Sequence, residues 1–151
     1  MDNKNENNQS LSEITKGVRM IFFSVVFECV LLAVTLFLIF NIGGLEMSPE
    51  VSFYVEVIDI LLTLSVTYLI VKWYHISFVN KKKRLDDPLQ RYRTLFTRRM
   101  LFWEFIVNSN IILWLMFGVT NAMYIVIIEA FVLVFLYPTS ANINNDIELL
   151  S

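Results

Sequence analysis

Four runs of apolar residues, at about 19–41, 53–75, 100–118 and 121–137, constrain this chain more than anything else in it. A helix rises about 1.5 Å per residue, so roughly 20 residues are needed to cross ~30 Å of hydrocarbon. In lipid, every backbone N–H and C=O must also find its partner within the segment, which leaves the helix as the form such runs can take. Composition agrees, with 56% hydrophobic residues and only 17% charged. The expected fold is all-α: a polytopic integral membrane protein built as a four-transmembrane-helix bundle.

The first run is too long for the apolar core of a signal peptide and follows a polar stretch, MDNKNENNQS, so it reads as a retained span. Residues 1–9 read as a disordered polar tail and 10–151 as a single membrane domain. Within that domain, 76–99 forms a loop outside the bilayer and 138–151 a tail. Cys29 lies inside the first run, where a lone thiol supports no disulfide and packs as a small apolar residue.

The basic residues orient the bundle. Lys4, Lys16 and Arg19 precede the first run and the other nine lie between Lys72 and Arg99, so all twelve fall on one side of a four-span topology. The positive-inside rule then puts both termini and the 76–99 loop in the cytoplasm.

Ser48 followed by Pro49, and Asp87 followed by Pro88 with Gln90, carry helix-start chemistry. They predict that the second and third helices project beyond the bilayer as a basic helical hairpin turning at "LDD". Its patch comprises Lys81, Lys82, Lys83, Arg84, Arg91, Arg93, Arg98 and Arg99. Leu89, Tyr92 and Phe96 form an apolar stripe on the lower arm, suited to packing on the other arm or on lipid headgroups. The net charge is −2 and no nucleic-acid fold accompanies the patch, so anionic headgroups are the expected partner and nucleic acid is not. At the ends, the capping box SLSE predicts a helix from Ser10. Beyond Pro138, Ile143, Ile147 and Leu150 predict a short amphipathic helix on the cytoplasmic surface.

Every span carries an acid: Glu28, Asp59 with Glu56, Glu104 and Glu129. An ionisable group in hydrocarbon costs about 2.5–3.5 kcal/mol on an insertion scale, so these residues should face the bundle interior. Helical spacing groups Ser24, Glu28 and Thr35 on one arc, Glu56, Thr63 and Thr67 on another, and Glu104 with Asn108 on a third. The reading is a single polar seam in which Glu28, Asn108 and Glu129 meet near the midplane, with Glu104 and Asp59 to either side. Such a seam either fastens helices by hydrogen bonds or holds a proton or cation.

Residues 89–150 carry LQRYRTLFTRRMLFWE, a Gly-containing turn after "LMFG", and "FLYPTSANINNDIEL". This half resembles the small four-span membrane proteins of unknown function that occur in Bacteroidota. The shared elements are a Leu-x-x-Tyr-Arg stretch (Leu89, Tyr92, Arg93), an Arg shortly before a membrane Glu (Arg99, Glu104), and a Pro followed by an Ile-x-x-Asp-Ile-x-Leu tail (Pro138, Ile143, Asp146, Ile147, Leu149). The resemblance implies a topology and a bacterial inner membrane, with no activity attached.

Catalytic machinery is not legible. His75 is the lone histidine, no Gly-rich phosphate loop is present, and no catalytic, metal or cofactor site is expected. The functional expectation is a non-enzymatic membrane protein acting through assembly, with a membrane-protein partner or as a homo-oligomer. The alternatives are a proton-coupled or cation-translocating unit and an oligomerising, membrane-perturbing effector. The orientation is testable in a Cys29→Ser background: Lys83→Cys should label only from the cytoplasm and Met47→Cys only from outside. Reversed labelling would refute it.

Overall fold

The computed structural model describes the backbone of residues 2–79 and 88–150 and, apart from 2–10, 71, 73–79 and 149–150, their side chains. Among them the regular elements are all helices: α1 (Asp2–Phe40), α2 (Pro49–Val79), α3 (Pro88–Phe117), α4 (Thr120–Phe135) and α5 (Ser140–Leu150). Three are long and apolar enough to cross a membrane, and a fourth span results if the bent pair α4–α5 counts as one. By itself α4 is 16 residues, about 24 Å, which is short of a ~30 Å hydrocarbon layer.

The helix starts follow their chemistry. The Ser48 hydroxyl accepts from the Val51 amide at 3.4 Å, and α2 and α3 both open on a proline whose missing N–H costs the first turn nothing. The start of α1 departs from expectation, because residues 2–9, read as a disordered tail beginning its helix at Ser10, are helical from Asp2. No Gly or Pro interrupts that stretch, and extending a helix already nucleated costs far less than starting one.

α3 is the hub. Its largest interface is with α1, and it also touches α4, α2 and α5. One continuous core runs along the α1–α3 seam, with Val18, Phe22, Val25 and Cys29 facing Tyr92, Phe96, Met100, Trp103, Val107 and Ile111. The stripe on the lower arm of α3 is therefore buried, but its cover differs from the expected one. Tyr92 and Phe96 belong to the same core as Val18 of α1 and Ile143 of α5, with Leu11, Ile14 and Ile147 packed against it. α5 likewise turns its apolar face inward: Ile143 is wholly buried. The chain bends by 76° between α4 and α5, which returns α5 to the foot of α3. The far arm of the expected hairpin, with its turn and with Lys81, Lys82, Lys83 and Arg84, lies outside the described residues.

At the other end, two connections lock together. α1 ends on Asn41 with φ 50°, the left-handed conformation that closes a helix, and its amide reaches the Phe37 carbonyl at 3.0 Å. α3 ends on Gly118 with φ 69° in the same role, its amide bonding to the Trp114 carbonyl. The α1–α2 loop then donates to the exposed end of α3, from Gly43 to the Leu115 carbonyl at 3.0 Å and from Leu45 to Met116 at 2.8 Å. Carbonyls orphaned by the end of one helix are thus satisfied by a neighbouring loop. The loop comes so close that a Cβ on Gly118 would lie 3.2 Å from the Gly43 Cα. Gly118→Val should therefore lose both the left-handed cap and the loop contact, costing about 1–2 kcal/mol or more. Reversible unfolding in mixed micelles measures this, and an unchanged midpoint would contradict the docking.

Candidate functional site: buried acids between α2, α3 and α4

α2 is the least embedded of the long helices. Among its described side chains only Asp59 and Ile70 are buried, while Val57, Ile58, Leu61, Leu64 and Tyr68 face outward. Much of what ties it to the bundle is polar. The Asn121 amide donates to Glu56 Oε2 at 2.7 Å, joining α4 to α2 near the loop end. One turn below, Asp59 points inward and is only 6% exposed.

The deepest point of this contact is Asn110 on α3, which is 0% exposed, beside Glu129 on α4 at 3%. The Asn110 Nδ2 donates to Glu129 Oε1 at 3.1 Å and to the Ile106 carbonyl at 3.1 Å, with Thr63 Oγ1 of α2 at 3.5 Å. Asp59 lies close enough for its charge to act on Glu129. Glu129 sits about 13 Å from the start of α4 and about 9 Å from its end, near the middle of the helix.

Donors are scarce in this cluster. Ionised carboxylates only accept, an amide side chain offers two N–H groups, and a threonine one O–H. The single Nδ2 is already shared among Glu129, Ile106 and Thr63. Three buried oxygens are left without a hydrogen-bond partner: Asp59 Oδ2, Asn110 Oδ1 and Glu129 Oε2. Such groups cost about 1–3 kcal/mol each when left unpaired. The arrangement lacks a positive centre, and a proton or a small monovalent cation is what it can accept. Among the described residues no three His, Cys, Asp or Glu side chains are placed to hold a metal ion.

The expected single seam is instead two separate groups. Glu28 pairs with Glu104, the two carboxyls lying within hydrogen-bond reach across the α1–α3 boundary. They line an outward-facing groove with Gly17, Ser24, Leu101 and Arg93, and Glu28 itself is exposed. Glu129 and Asp59 belong to the other group, on another face of α3. Asn108, expected to join Glu28 and Glu129, is half-buried with its Oδ1 unpartnered, and Asn110 makes the bond to Glu129. Glu104 and Asn110 are six residues apart, so they point about 120° from one another around α3. One seam would have required them on one face.

Asn110 escaped the sequence reading because Asn108 shares the Glu104 arc and Asn110 does not. Its signal was present, since Trp103, Ile106 and Asn110 recur at the spacing of a second helical face. In the basic patch, Arg93 and Arg98 are exposed and line a small polar pocket with Gln90, Thr94 and Thr97, while Arg91 and Arg99 are half-buried. The Arg93 guanidinium lies over Gly17 of α1, where a Cβ would stand 3.9 Å from it. No protein family, curated protein or solved structure matches this chain.

The hydrogen-bond role of Glu129 is separable from its charge. Glu129→Gln keeps an acceptor for Asn110 at nearly the same size, whereas Glu129→Leu leaves a buried amide facing an apolar side chain. Leu should cost about 1–2 kcal/mol and Gln less than half of that, read from unfolding in micelles. Equal losses would show that Asn110 does not depend on this acceptor.

Proposed function

We propose that this is a non-enzymatic bacterial inner-membrane protein with both termini in the cytoplasm, whose α2–α3–α4 acid cluster takes up and releases a proton or a small monovalent cation. The observation that carries this reading is the shortage of donors around the buried Asp59, Asn110 and Glu129. Two acids in one low-dielectric site cannot both be charged cheaply, and gaining or losing one positive charge changes their energy steeply. α2 brings one acid of the pair and is held largely by polar contacts. A change of charge at Asp59 thus acts on the helix freest to shift. The one-sidedness of the twelve basic residues supports the orientation. The bacterial setting is part of the proposal and rests on the motif resemblance read in residues 89–150.

A second reading, action through assembly with a membrane-protein partner or another copy, is favoured by the Glu28–Glu104 pair. Two carboxyls opening to the outside of the bundle at membrane depth are costly in lipid, and a neighbouring helix bearing a donor would relieve them. The two readings are compatible, because the groups occupy different faces of α3.

Flux through proteoliposomes separates them. Under an imposed pH gradient, or a Na⁺ or K⁺ gradient, the wild type should pass ions faster than empty vesicles. Glu129→Gln and Asp59→Asn should each slow that flux about tenfold or more while losing less than about 1 kcal/mol of stability. Absence of flux under all three gradients, with both variants stable, would reduce the cluster to a structural fastening and leave assembly as the function.

A further inference from the structure

Helices α1 and α4 both pack on α3, and between them lies a lateral cavity of about 520 Å³. That is within the roughly 300–1,000 Å³ usual for small-molecule pockets. Its walls are apolar: Phe22 and Ala33 on α1, Val107 and Trp114 on α3, Ala130 on α4, and the Tyr137 ring at one end. From Phe22 to Ala33 it runs about 16 Å, close to half of a ~30 Å hydrocarbon layer, so it is one leaflet deep.

The end that meets the membrane surface is marked by Arg19. Its guanidinium stands 5.8 Å from the centre of the Tyr137 ring, and that ring packs edge-on against Phe22 at 5.4 Å. Among the described residues the hydrogen-bond partners of Arg19 are uncharged: Nε donates to the Pro138 carbonyl at 3.3 Å and Nη2 to Ser140 Oγ at 3.3 Å. A guanidinium has five N–H donors, so these two bonds leave three. The first turn of α5 begins at Ser140, adding the positive end of a helix to the same spot.

We propose that this groove is a binding site for one anionic phospholipid, with an acyl chain lying between α1 and α4 and the phosphate on Arg19. Depth and charge select this occupant. A helix of another copy would need contact through both leaflets, and an uncharged hydrocarbon would leave Arg19 unneutralised. Phosphate accepts from a guanidinium through parallel N–H bonds, the geometry Arg19 has left to offer. Bound there, the lipid would tie α1 to the bend between α4 and α5. The site shares no residue with the acid cluster and does not depend on it.

The test is mass spectrometry of the full-length protein released from detergent, after exchange with phosphatidylglycerol or phosphatidylcholine of the same acyl chains. The wild type should retain one phosphatidylglycerol per chain, with roughly fivefold preference over phosphatidylcholine, as one basic contact near a membrane surface provides. Arg19→Gln should erase that preference while keeping chain-dependent retention. Ala130→Phe, placed at the exposed lip of the groove, should abolish retention of both lipids, and helical circular dichroism monitors folding. Because Arg19 also braces the α4–α5 bend, Ala130→Phe decides the matter if Arg19→Gln fails to fold. Equal retention of the two lipids by the wild type, or unchanged retention in Ala130→Phe, would overturn the proposal. So would a dimer that this variant disrupts while lipid content stays constant, which would assign the groove to a second copy.

Discussion

The packing of α1 along α3 governs everything else in this molecule, because it commits one entire face of α3 to apolar contact from Tyr92 at one end to Ile111 towards the other. In a bilayer, association between helices gains little from the hydrophobic effect and depends on close van der Waals fit and on hydrogen bonds. A long seam of interdigitated Phe, Val, Met and Trp supplies the fit. It also fixes how the remaining faces of α3 are distributed, with α4 and α2 taking other faces and α5 closing the foot. The cavity between α1 and α4 is a by-product of the same geometry, since two helices packed on different faces of a third diverge from one another.

From that distribution the two acidic groups acquire different characters. Asp59 and Glu129 are enclosed because three helices converge on Asn110, whereas Glu28 and Glu104 lie where only two helices meet and the outside begins. The residue types are alike in both places, and their surroundings separate them. In the function proposed above, the enclosed carboxyls take up a proton or cation, and those at the open boundary meet a neighbouring chain. The weak apolar embedding of α2 then places the enclosed pair at the most loosely held contact of the bundle.

The two ends of the bundle are secured by different means. At the loop end the α1–α2 connection satisfies carbonyls left open by α3, through a close approach that depends on Gly43 and Gly118. At the other end, Arg19 bridges from α1 to Pro138 and Ser140, and Ile143 enters the core beside Tyr92. The short α4 is therefore held from both sides, first by the turn at Gly118 and then by the bend before α5.

What the sequence alone determined is what a single helix can express. The presence of the long helices follows from the apolar runs, the starts at Pro49 and Pro88 from capping chemistry, and the apolar stripe at Tyr92 and Phe96 from periodicity. The presence of an acid in each apolar run, and the cost such a group would carry in lipid, were equally plain. Only the tertiary structure decided which face of which helix meets which neighbour. That choice set Asn110 against Glu129 in place of Asn108, divided one expected seam into two groups, and covered the lower arm of α3 with α1 and α5. A helical wheel specifies angles about one axis and leaves the relative rotation of several axes open. Around a central helix such as α3, residues at similar depth but 120° apart serve different partners, and the packing of whole side-chain surfaces makes the selection.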